Sequence, residues 1–169
     1  MLAIGLPVLL AVVVAAIALL PSGSAGQDRH DGPLALPAVP APTAGSAECR
    51  ALLDRLPDAL VSAGARLGRR VIAAPEPAGA AAWGPDQNPV TLRCGLDRPA
   101  ELTRTAQLLD VSGVRWLKLA GDAVSTWVAV DRPVYVALTY RDAAGTGPLQ
   151  DVSAAITATL PAQLVQPGA

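Results

Sequence analysis

The chain has 169 residues, 13 basic and 14 acidic side chains, a net charge of -1, and 51% apolar but only 3% aromatic residues, with no Phe. That length accommodates one folded domain rather than two. The near-neutral charge lacks the basic footprint of a nucleic-acid binder, and the apolar content is too high for global disorder.

Leu2 to Leu20 is an uncharged run, apolar except for Gly5 and Pro7. As one helix it would span roughly 28 Å at about 1.5 Å per residue, close to a bilayer core. Pro7 fits best in a first helical turn, and a helix from Pro7 to Leu20 would be only about 21 Å long. The run therefore reads as an uncleaved single-pass anchor or as the hydrophobic region of a cleaved signal, with Gly23-Ser24-Ala25 supplying small residues after it. A buried soluble helix is the third reading, and it fits poorly with a surface apolar on every face. No Cys lies near the run for lipid attachment. Pro21 to Ser46 reads as a tether, with Pro33, Pro37, Pro40 and Pro42 favouring extended polyproline geometry.

The domain is predicted over residues 47–164, with a tail at 165–169. Cys49, Leu52, Leu53, Leu56 and Leu60 fall on one helical stripe, with Pro57 kinking or restarting the helix. The stretch from Gly68 to Gly84 carries weak signals: Arg69 to Ile72 reads as a short strand, Pro75 to Ala82 as loop. Val90, Leu92 and Cys94 alternate with Thr91 and Arg93 in a strand that Gly95 ends. Pro99 to Asp110 reads as a short helix with Leu102, Ala106 and Leu109 inward. Val114–Leu119, Ser125–Val130 and Val134–Tyr140 read as strands, the first two joined by a hairpin loop at Gly121-Asp122. Pro148 opens a last helix with the stripe Leu149, Val152, Ile156 and Leu160. Asp151 is read in its first turn, and Pro161 stops it. The predicted fold is α+β: a two-layer sandwich in which a four- to five-stranded, mainly antiparallel sheet carries N- and C-terminal helices on one face, preceded by the N-terminal apolar helix.

Cys49 and Cys94 are the two cysteines. An even count in an exported chain suggests one disulfide, and two buried thiols are the alternative. A loop of about 45 residues closed in this way stabilises by roughly 4 kcal/mol in the chain-entropy model. Two thiolates with no domain histidine would leave a metal's coordination unfilled.

Ala81-Ala82-Trp83-Gly84, Val90 through Gly95, Val114-Arg115-Trp116 and Thr126 through Val136 together resemble an actinobacterial envelope family catalogued as domain of unknown function 3515. The resemblance covers Cys49 to Pro161 and extends to the apolar start and the proline-rich tether. It implies a membrane-anchored or exported protein with a small domain, matches Cys49 and Cys94 as the family's cysteine pair, and implies no known activity.

No phosphate loop, dinucleotide fingerprint or other cofactor motif is present, and the single histidine, His30, lies in the tether. Lys118, the only lysine, reads as a plain surface charge. Asp-Arg-Pro occurs at 97–99 and at 131–133. Each copy reads as turn chemistry, Asp capping backbone N–H groups and Pro restricting the preceding Arg. Paired as acid and base, Asp97 and Asp131 would instead make a carboxylate-based envelope hydrolase. If Val128 and Val130 face the helices, Trp127 points the other way. A sheet face carrying Trp127, Tyr135, Arg93 and Arg115 would then suit a glycan or a protein surface, unless loops cover it. Trp83 reads as a plug at the sheet edge. These observations predict a cell-envelope protein, anchored or secreted, whose extracytoplasmic domain is a binding or scaffold module. Its expected partners are the membrane through residues 2–20 and envelope proteins or cell-wall glycan.

Overall fold

The computed structural model describes residues 32–168. The apolar run at 2–20, the start of the tether and His30 lie outside the described residues. Among the described residues, no helix is long and apolar enough to cross a membrane.

Helix α1 (Ala47–Arg55) begins at Ser46, whose hydroxyl accepts the Cys49 N–H at 3.2 Å. That bond satisfies one of the amides a helix start leaves unpaired. The helix stops rather than kinks at Pro57. Proline disfavours helical backbone at the residue before it, and Leu56 is extended, with ψ 139°. Leu60 therefore belongs not to the helix but to strand β1 (Ala59–Ser62), which pairs antiparallel with β2 (Ala65–Gly68). Ala63 and Gly64 turn this hairpin with positive φ at both positions, 47° and 80°. That is the two-residue turn whose twist matches paired strands.

The main sheet has six strands, more than the sequence suggested, and every pair is antiparallel. In chain order they are β3 (Ala80–Trp83), β4 (Val90–Leu96), β5 (Leu108–Val111), β6 (Val114–Ala120), β7 (Val124–Ala129) and β8 (Tyr135–Arg141). Their spatial order is β3-β4-β8-β7-β6-β5. The short helix expected at 99–110 is absent: residues 99–106 are irregular, and Leu108 to Val111 pair with β6 across a Ser112-Gly113 turn. Both turn residues have positive φ, and the Asp110 carboxylate accepts the Gly113 N–H at 3.2 Å. Gly95 does not end β4 but makes a bulge with φ +86°. A Cβ there would collide with the backbone of Thr43 and Ala44, and the Gly95 carbonyl accepts the Thr43 N–H at 3.1 Å.

Helix α2 (Gly147–Thr159) carries the predicted stripe, with Leu149, Val152 and Ile156 fully buried and Pro161 following its C-cap, Leu160. Asp151 lies beyond the first turn. Its carboxylate accepts the Val61 N–H at 2.8 Å and ties α2 to the β1–β2 hairpin. Both helices pack on one face of the sheet, as predicted, over Leu92, Cys94, Trp116, Val136 and Leu138. Cys49 on α1 is disulfide-bonded to Cys94 on β4, with Cα atoms 5.7 Å apart, so the thiol alternative is excluded. Two tryptophans fill this core with satisfied indoles: Trp116 Nε1 donates to Ser153 Oγ and Trp83 Nε1 to the Pro57 carbonyl, both at 2.9 Å. Trp83 sits on the sheet's edge strand, β3, as the sequence suggested.

The opposite face is covered by irregular chain. Leu102 from the β4–β5 connection and Val165 from the C-terminal tail pack on Leu117, Val128, Val130 and Ala137. Two segments assigned to a free tether and a free tail are thus docked. Leu34 bridges to Ile72 and packs with Ala80 and Ala82, while Gly168 N–H donates to the Leu102 carbonyl at 2.8 Å. The folded part therefore reaches back at least to Leu34, ahead of Ala47.

Candidate functional site

Directly opposed residues of an antiparallel pair point to the same side of a sheet. Trp127 opposes Leu138 and Lys118, so it shares the helix face; Val128 opposes Ala137 and Leu117 and lies on the other. This reverses the orientation expected for β7. Val130 likewise packs on the tail side, whereas Val134, Val136 and Leu138 face the helices as predicted. Each alternating set of β7 combines two apolar residues with one hydroxyl residue, Val124, Thr126 and Val128 against Ser125, Trp127 and Ala129, so sequence alone had no burial contrast with which to choose its face.

The four residues proposed for one surface are therefore split. Arg93, Tyr135 and Arg115 stay on the tail side, and Trp127 is across the sheet from them. Arg93 donates from Nη2 to the Pro37 carbonyl of the docked N-terminal segment, and partial burial lowers its pKa. Tyr135 packs on the Leu102–Val128 cluster, and Arg115 is exposed opposite Asp110. The two carboxylates weighed for hydrolysis sit in different settings. Asp97 is exposed, whereas the Asp131 side chain is buried and held by Arg132 at 2.8 Å. Asp131 is thus an ion-pair partner rather than the turn cap that the sequence suggested.

Trp127 borders a cleft of about 340 Å³ with Lys118, Tyr140, Asp142, Gly145 and Thr146. Four parts of the fold build it. The β6–β7 hairpin sets Lys118 directly across from Trp127, and Lys118 Nζ lies 5.3 Å from the indole ring centroid. The end of β8 supplies Tyr140, and the 3₁₀ turn Asp142–Ala144 supplies Asp142. Thr146 is the N-cap of α2. Lys118 is thus more than a free surface charge: Nζ is 3.6 Å from Asp142 Oδ1 as well as over the ring.

Electrostatically the cleft is a small alternating array. Ser125, fully buried on β7, donates from Oγ to Asp142 Oδ1 at 2.6 Å. That hydrogen bond, followed by the Lys118 charge, holds the Asp142 carboxyl below its ordinary range. Burial and the negative Asp142 together push the Tyr140 phenol up to about 12, so Tyr140 stays a neutral hydroxyl. The Trp127 indole N–H is buried without an acceptor. An aromatic surface ringed by an ammonium, a carboxylate and neutral hydroxyls can stack on the apolar side of a ligand and hydrogen-bond its hydroxyl groups. No group of three or more metal-ligating side chains occurs among the described residues.

Sequence reasoning missed Ser125, Tyr140 and Asp142 as site residues. One signal was present: the tight turn at Gly121–Val124, closed by the Gly121 N–H on the Val124 carbonyl, fixes the hairpin register and puts Lys118 opposite Trp127. Asp142 and Tyr140 arrive through β8 and carried no comparable signal.

Neither a curated protein nor a solved structure matches the chain. A family model described as "Protein of unknown function (DUF3515)" matches residues 4–165, and the chain belongs to that family.

Proposed function

We propose that this is a cell-envelope protein, held at or exported across the membrane through residues 2–20, whose domain is a binding module for a hydroxyl-rich ligand of the cell-wall glycan type. The observation that carries the ligand reading is the placement of Lys118, Asp142 and Tyr140 around the Trp127 ring in one cleft. The Cys49–Cys94 bond supports an oxidising compartment, where such crosslinks persist. A carboxylate hydrolase built on Asp97 and Asp131 gains no support, because Asp131 is spent on a buried ion pair.

The ligand reading is tested by titrating the full chain with N-acetylglucosamine oligosaccharides and following indole N–H resonances. A saturable shift of the Trp127 signal, abolished in Asp142→Ala within the cleft and retained in Arg115→Ala on the opposite face, is expected. No saturable shift, or one that survives Asp142→Ala, overturns the reading. Location is tested separately, by trapping free thiols in intact cells: unmodified, crosslinked Cys49 and Cys94 are expected, and free thiols at both positions argue for a reducing compartment.

A further inference from the structure

Tyr140 borders two clefts. Beside the Trp127 cleft lies a second of about 220 Å³, on the side of Tyr140 toward β4 and the β1–β2 hairpin. The two share one stretch of wall: Tyr140, Asp142, Gly145 and Thr146 line the first, and Tyr140, Ala143 and Ala144 line the second. The opposing wall is tied to this one, because the Ala63 N–H and the Ser62 hydroxyl both donate to the Ala144 carbonyl, at 3.1 and 3.3 Å. The second cleft is therefore preformed.

Its body is apolar, from Leu67, Pro85, Val90 and Ala143. Arg141 borders it but opposes Val124, so the arginine side chain leaves on the other face of the sheet. Two neutral polar groups remain. Tyr140 is 3% exposed, yet its hydroxyl has no hydrogen-bond partner among the described residues and is not one of the three unpaired side-chain atoms sealed from solvent. The hydroxyl is thus open at the clefts that Tyr140 lines. The exposed Asn88 carboxamide is likewise unpartnered among the described residues. At about 220 Å³ the space is smaller than the roughly 300–1,000 Å³ of pockets that enclose a whole small molecule, so it suits a substituent rather than an entire ligand.

We propose, on the basis of the glycan reading of the Trp127 cleft, that the bound glycan carries a short, amide-linked apolar chain of the alanyl type and that this chain fills the second cleft. Its amide carbonyl accepts from the Tyr140 hydroxyl, and its N–H donates to the Asn88 carboxamide oxygen. The lining selects the substituent. A bare alkyl chain would leave the Tyr140 hydroxyl covered without a partner. A carboxylate would enter an apolar space with no cationic side chain directed into it. A small amide-linked residue meets both requirements, and Tyr140, shared by the two clefts, lets one ligand occupy both.

The test is an NMR titration of the full, disulfide-bonded chain with N-acetylmuramic acid amide and with N-acetylmuramyl-alaninamide, two neutral sugars that differ by one alanyl unit. The Trp127 indole N–H reads the first cleft and the Asn88 side-chain amide reads the second. Both probes are expected to shift Trp127 saturably. The alanyl probe is expected to bind at least about fivefold more tightly and to be alone in shifting Asn88. Asn88→Ala, which removes the carboxamide, and Ala143→Leu, which narrows the cleft, are each expected to bring the two affinities within about twofold of one another. Equal affinities in wild type, or a preference that persists in both variants, overturns the inference and leaves the Trp127 reading standing. No saturable Trp127 shift with either probe overturns that reading and the inference with it.

Discussion

The two faces of the sheet are closed by different means. One carries two helices, a disulfide and two tryptophans whose indoles are hydrogen-bonded. The other is closed by a connection without regular structure and by a tail, through Leu102 and Val165. Regular elements bring their backbone hydrogen bonds with them, so the helix face loses little by being covered. An irregular cover must find partners one at a time, and two of the three buried unpaired side-chain atoms among the described residues lie at Asp131 and Arg132; the third, Trp127 Nε1, is on the helix face. The contrast implies that the helix face carries the stability of the domain and that the strap face is the one able to yield.

Cys94→Ser strikes that contrast hardest. It opens a crosslink spanning 45 positions and should destabilise the domain by roughly 4 kcal/mol in the chain-entropy model. Denaturant midpoints of wild type and variant, with and without reductant, measure it; equal midpoints would show that the staple contributes nothing. Next come matched truncations. Leu52→Ala under α1 should cost about 2–5 kcal/mol, and Leu102→Ala on the strap side should fall at or below the low end, because a loop can settle into the space. Equal losses would erase the distinction between the faces.

A smaller effect concerns alkaline pH. The Tyr140 phenol is raised from 10.0 to about 12 in the folded protein, so its contribution is fully present below pH 10 and is lost as pH climbs toward 12. Wild type should lose stability more steeply than Tyr140→Phe across that window, as read by midpoints at successive pH values. The smallest effect is local. Asp142 is held low chiefly by Ser125, so Ser125→Ala should raise its titration toward the ordinary carboxylate range. Carbon-detected NMR of the Asp142 carboxyl would register it. In wild type the Asp142 contribution is present above the ordinary carboxylate pKa and fades as pH falls through the lowered value.

Much of the helix face was legible because burial there leaves a periodic mark. The stripes of α1 and α2, the alternation of β4 and β8 and the cysteine pair all sit where a single buried side dictates residue type. The β1–β2 hairpin left a fainter trace: its turn is Ala63-Gly64 rather than the usual Asn-Gly, and Leu60 continued the helical stripe by coincidence. The β5 strand hid because Leu102, Ala106 and Leu109 mimic a helical spacing, although Leu109 ends up exposed. Within the candidate site, only Trp127 was singled out in advance.

The sequence by itself determined the α+β class, both main helices and the helix-facing sides of β4 and β8, and it suggested the sulfur-to-sulfur staple, because each depends on local spacing or residue chemistry. Tertiary structure decided which way β7 faces, which groups meet Trp127, and where the proline-rich segment and the tail come to rest. The reason is that a strand with the same mix of apolar and hydroxyl residues on both sides carries no burial contrast, and an irregular segment has no period. Only the register of their neighbours and the surfaces left uncovered can place them.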